Sequence, residues 1–209
     1  MSLGKKLVVM LALFIVADVA IIAYLVTQAR GMQREGTAPV PVDPASPPVL
    51  YPAPTFSLTD NHGKTFTNED LAGKVWVAEF FFTSCAGPCP VMNAQLSELA
   101  LDLEDTDTQF VSVTVDPETD DPARLTEYGE KYGADFSRWH FLTGDIADIT
   151  AMAYDGFKLG HKDDPIFHSD RFVLVDRAGQ IRGYYTGTDR DDVMKLRGHI
   201  RALLREPAA

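Results

Sequence analysis

The chain has 209 residues, 45% of them hydrophobic, and a formal net charge of −11. That length suits one ordinary domain with extensions, and the acidic balance offers no phosphate-binding surface, so no nucleic acid is expected as a partner. Two cysteines rule out a disulfide-rich scaffold.

Residues 7–26 form an apolar run interrupted only by Asp18, close to the ~20 helical residues that cross a bilayer. A signal peptide has a shorter apolar core of roughly 7–15 residues followed by a small-x-small site. Thr27-Gln28-Ala29 fits such a site poorly, so residues 1–30 are predicted to be an uncleaved single-pass anchor. Lys5 and Lys6 place the N-terminus in the cytoplasm, with Arg30 and Arg34 pulling the other way. The expected location is a bacterial inner membrane with the domain in the periplasm. Residues 31–54 are predicted to be a linker. Pro39, Pro41, Pro44, Pro47, Pro48, Pro52 and Pro54 favour extended backbone, a semi-rigid spacer.

The working domain is predicted at residues 55–209. Residues 55–59 and 64–67 flank the turn Asp60-Asn61-His62-Gly63 and predict a β-hairpin. The apolar stretch 75–82 predicts a buried strand. Residues 90–103 follow as a helix with Leu96, Leu99, Ala100 and Leu103 on one face and Pro90 in its first turn. A second buried strand is predicted at 109–115, a helix at 122–132, a short strand at 139–142 and a helix at 145–154. Residues 158–169 lack periodicity and are predicted to be a loop. Strands at 171–175 and 180–185 and a helix at 190–204 complete the chain. Strands alternating with helices imply an α/β sandwich, and their order around a dithiol turn resembles the thioredoxin fold.

Cys85 and Cys89 lie between the first buried strand and its helix. There the free N–H groups and the positive end of the helix dipole are expected to favour thiolate. A thiolate pair either undergoes reversible oxidation or chelates a soft metal, and Cu(I) suits two sulfurs. Of the five histidines, His62, His140 and His199 read as solvated or structural. His161 and His168 share the loop that a thioredoxin-like chain packs against the dithiol, which makes His168 the candidate third ligand and His161 its substitute.

The ordered set Thr83-Ser84-Cys85-x-x-x-Cys89-Pro90, Asp116-Pro117 with Asp121-Pro122, Leu142-Thr143-Gly144, and His168-Ser169 followed by Phe172-Val173-Leu174-Val175-Asp176 resembles the Sco/SenC family over residues 52–204. The resemblance implies a thioredoxin-like fold with an N-terminal hairpin extension. It also implies copper, as Cu(I) or Cu(II), held by Cys85, Cys89 and His168. The implied role is assembly of the dinuclear copper centre of cytochrome c oxidase, with the oxidase's copper-site subunit, other copper chaperones and thiol reductases as partners. This is a chaperone's role rather than an enzyme's, unless the Cys85–Cys89 dithiol also acts catalytically. Two departures stand out. Ala86-Gly87-Pro88 fills the turn where the family has proline and an acid, and Phe167 replaces the aspartate before the histidine. A carboxylate orienting the imidazole would have to come from Asp163, Asp164 or Asp170.

The rival reading is a thiol–disulfide oxidoreductase that keeps a partner's copper-ligand cysteines reduced. A peroxidase is disfavoured, because it needs a Thr or Ser three residues before the reactive cysteine, whereas Thr83 lies two before Cys85 and the residue three before Cys89 is Ala86. A tethered interaction domain with a static disulfide predicts no metal binding.

Overall fold

The computed structural model describes residues 45–160 and 169–207. Three parallel strands, β4 (Trp76–Phe81), β5 (Gln109–Thr114) and β6 (Trp139–Thr143), form the middle of the sheet. On one side β7 (Arg171–Val175) runs antiparallel to β4, followed by β8 (Gln180–Thr186) and the edge strand β1 (Tyr51–Pro52). On the other side β2 (Ser57–Asp60) pairs with β6, and β3 (Thr65–Thr67) pairs with β2. The sheet order is β1-β8-β7-β4-β5-β6-β2-β3. This is a mixed α/β fold of the thioredoxin-like kind, extended by the expected N-terminal hairpin.

Helices cover both faces, so the central strands are apolar on both sides, and every residue of β4 and β5 is buried. Val77, Phe81, Phe110 and Trp139 point into a layer shared with α1 (Cys89–Asp102), α2 (Pro122–Lys131) and α4 (Arg190–Arg205). Trp76, Ala78, Phe80, Val111 and Val113 point the other way, against α3 (Ile146–Ala151) and the turn that follows it. The β2–β3 turn is closed by the Asp60 carboxylate, which accepts from the N–H groups of His62 and Lys64 at 2.9 and 2.8 Å. Gly63 takes the left-handed conformation there, at φ 75°.

Two elements differ from expectation. The helix expected over 145–154 is α-helical only to Ala151 and widens into a π-helical turn, Met152–Gly156, closed by Phe157 N–H donating to Met152 O at 2.8 Å. The wider turn brings Phe157 edge-on to Trp76 and Phe80, with ring centroids 6.0 and 5.8 Å apart. The proline-rich stretch also ends in the sheet rather than in solvent. Leu50 and Ala53 donate to Ile181 O and Gly179 O at 2.9 and 2.8 Å, and proline is tolerated because β1 is an edge. Arg182, 7% exposed, holds this strap. It donates to Pro47 O at 2.8 and 2.6 Å and pairs with Asp176 and Glu206 at 2.8 and 2.9 Å.

Among the described residues no helix is long and apolar enough to cross a membrane. The anchor predicted at residues 1–30 lies outside them.

Candidate metal and redox site

The dithiol turn starts where β4 leaves the sheet. Cys85 N–H donates to Phe82 O at 3.2 Å, reversing the chain, and Gly87 N–H donates to Cys85 Sγ at 3.4 Å. Pro88 caps α1 and Cys89 is its first residue. No N–H is needed in that first turn, so Pro90 fits there. Both cysteines are free thiols, Cys85 half-buried and Cys89 buried, and Cys85 is close enough to perturb the Cys89 thiol.

The helix start does not make Cys89 acidic. Its thiol is pushed up to about 12, chiefly by burial, then by its hydrogen bond with Cys85, and against the pull of a backbone hydrogen bond at Phe82. Cys89 is 3% exposed and belongs to the apolar layer with Phe81 and Met92. Desolvation of the charged form therefore outweighs the helix dipole, and the expectation of a favoured thiolate fails at this sulfur.

Glu79 of β4 lies in the same layer and is fully buried. Its Oε1 accepts from Ser112 Oγ at 2.6 Å, and Ser112 Oγ accepts from Trp139 Nε1 at 2.9 Å. Among the described residues Glu79 Oε2 and Asn93 Oδ1 find no hydrogen-bond partner. Burial pushes the Glu79 carboxyl up to about 7, opposed by the Ser112 hydrogen bond. The charges of Glu79 and Cys89 oppose one another. Glu79 was legible only as a lone acid inside Val75-Trp76-Val77-Ala78-Glu79-Phe80-Phe81-Phe82 and was missed as a functional candidate.

Three histidines sit where the sequence places them. His62 is exposed in the hairpin turn, edge-on to Phe136. His140 bonds Gln109 Oε1 at 3.0 Å, and burial pushes it down to about 4. His199 is buried with Nδ1 2.6 Å from the Tyr185 hydroxyl. His161 and His168 lie outside the described residues, as do Asp163 and Asp164. Asp170 accepts from Thr188 Oγ1 at 3.2 Å and pairs with Arg171 at 3.6 Å. Among the described residues no group of three or more His, Cys, Asp or Glu side chains is arranged to hold a metal. The β4–β7 register pairs Val77 with Leu174 and Ala78 with Val173. Because β7 runs antiparallel to β4, its N-terminal end, with Ser169 two residues before it, lies at the end of the sheet where β4 leads into the dithiol turn. A groove of about 940 Å³ on the opposite face, among Tyr51, Phe56, Leu58, Met152 and Lys158, contains neither cysteine.

The SCO1/SenC family model matches residues 50–204. This chain belongs to that family. The SCO1 protein homolog of Bacillus subtilis is 34% identical over 157 residues, 70% of this chain and 81% of the relative. The structure of BsSco, described as a Sco cytochrome c oxidase assembly protein with a disulfide switch, superposes with a TM-score of 0.68. It is 30% identical and covers 78% of this chain and all of BsSco. Yeast Sco1 with copper bound superposes with a TM-score of 0.59 at 25% identity, covering 73% of this chain and 94% of that one. The Sco family is thus one of copper-binding proteins tied to oxidase assembly.

Proposed function

We propose that this Sco protein is a membrane-tethered copper metallochaperone, with Cys85, Cys89 and His168 as its copper ligands. The observation that carries the reading is the pair of free thiols, four residues apart, at the strand-to-helix turn of a SCO1/SenC chain. Copper is the cargo. Two thiolates and an imidazole suit it as Cu(I) or Cu(II). Cys89 gives up its proton on metal capture, so copper affinity rises with pH. His168 directly precedes Ser169, and the register sets Ser169 at the dithiol end of the sheet, which supports His168 as the third ligand. The recipient is the copper-site subunit of cytochrome c oxidase, and loading comes from other copper chaperones or after reduction by thiol reductases. Residues 1–30 hold the domain at the periplasmic face of a bacterial inner membrane.

The test is a copper titration of the reduced protein beside Cys85→Ser, Cys89→Ser and His168→Ala, followed by absorption and paramagnetic resonance. One equivalent is expected, with a thiolate-to-Cu(II) charge-transfer band lost in either serine variant and shifted in His168→Ala. An unchanged spectrum in His168→Ala removes the histidine from the site.

A second reading, a reductase for the recipient's cysteines, is favoured by one observation. Both thiols are free, one half-exposed and one buried, as exchange through an accessible attacking sulfur requires. Failure to bind copper tightly, with ready disulfide exchange, would select it.

A further inference from the structure

The acidic stretch 116–121 follows the end of β5. Asp120 within it is fully buried. Its Oδ2 accepts from Thr83 N–H at 3.0 Å and from Thr114 Oγ1 at 2.6 Å, and its Oδ1 accepts from the Thr83 hydroxyl. Arg124 Nε donates to the Thr83 hydroxyl at 2.6 Å and lies 3.5 Å from Asp120 Oδ1. The Thr83 hydroxyl therefore both donates and accepts, and its N–H is bonded too. Arg124 is fixed in turn by its own N–H, which donates to the α2 cap Asp121 at 2.8 Å. Thr83 stands two residues before Cys85, inside the turn closed by Phe82 O. The buried carboxylate is compensated by Arg124, whose side chain is 47% exposed.

We propose that Asp120 and Arg124 are positioning residues for the dithiol, acting through Thr83 to hold Cys85 against Cys89. Anchored in this way, Cys85 meets its partner sulfur without first losing the freedom of a loose loop. That raises the effective concentration of one sulfur at the other. The inference rests on the reading of Cys85 and Cys89 as the working site. It concerns the metal-free pair, so its test needs no copper.

The reaction measured is exchange with glutathione disulfide. A thiolate sulfur of the protein attacks the glutathione S–S bond and releases one glutathione. The second protein sulfur then displaces the other glutathione and forms the Cys85–Cys89 bond. The protein loses two electrons and two thiol protons, and the disulfide becomes two glutathione thiols. The full-length chain in detergent is equilibrated at graded glutathione ratios. Thr83→Val keeps the shape of the side chain and removes the hydroxyl. It is expected to lower the equilibrium constant for forming the protein disulfide about tenfold, a rise in potential of about 30 mV. Thr83→Ser restores the wild-type constant. Arg124→Met, at a half-exposed position, shifts it the same way by about threefold and keeps the test open if Thr83→Val does not fold. Constants within twofold of wild type in Thr83→Val and Arg124→Met, or Thr83→Ser behaving like Thr83→Val, would overturn the proposal. Failure of copper to bind, with the exchange constants shifted as expected, would overturn only the copper reading.

Discussion

Glu79→Gln isolates the energetic consequence of the buried carboxyl beneath the dithiol. In the folded protein this group titrates near 7 instead of its ordinary 4.5. Between those values the folded state keeps a proton that the unfolded chain has lost, so stability falls as pH rises from about 4.5 and levels off above about 7. At about 1.4 kcal/mol per pH unit, the gap comes to about 3 kcal/mol. Glutamine retains an acceptor for Ser112 Oγ but cannot ionise. It puts amide hydrogens into a buried apolar layer, at an unsatisfied-donor cost of roughly 1–3 kcal/mol. Comparing the variant's stability change at pH 8.5 with that at pH 5 cancels this constant cost and every other titrating group. The compact unit Val42–Ala209, kept reduced, would be unfolded in urea with Trp76 and Trp139 fluorescence as the signal. Relative to wild type, Glu79→Gln should gain about 2.5 kcal/mol between pH 5 and pH 8.5. Parallel stability curves for the two proteins would refute the reasoning, because they would mean that the carboxyl is ionised in the folded state at pH 5.

His140 acts with the opposite sign. Its folded value near 4 lies below its ordinary 6.5, so its contribution is present above pH 6.5 and is lost as pH falls towards 4. His140→Gln should flatten that acid limb by about 2 kcal/mol, allowing for partial exposure, in urea curves at pH 4 and pH 7.5. Arg182→Met takes the guanidinium from Asp176 Oδ2 and Pro47 O and should cost about 3 kcal/mol, with new proteolytic cleavage expected between residues 45 and 53. Gly129→Ala gains helix propensity, but its Cβ would sit 2.6 Å from Phe136 and 2.8 Å from Phe141. A net loss of about 1–3 kcal/mol is expected in thermal or urea unfolding.

The sequence by itself determined the main elements, because their signals are local. Residues 75–82 and 109–115 are apolar on both faces and became β4 and β5 with ends shifted by a residue. Asp60-Asn61-His62-Gly63 dictated a hairpin turn, and the Cys85–Cys89 spacing at a strand-to-helix junction announced the dithiol. Tertiary structure alone decided what depended on distant partners. The Tyr51–Pro52 strand has no repeating pattern and exists because β8 supplies its partners, while Arg182 ties down Pro47 just ahead of it. The π-helical turn after Ala151 follows from where Phe157 must pack against β4. Cys89's raised pKa came from burial in the apolar layer with Phe81 and Met92, which no helix-start argument registers. Asp116 and Asp120 look alike in the chain, yet only the fold buries Asp120 against Thr83. Local patterning fixes how the backbone winds, whereas desolvation and buried polar pairing are properties of the assembled interior, and in this protein they govern the state of the dithiol.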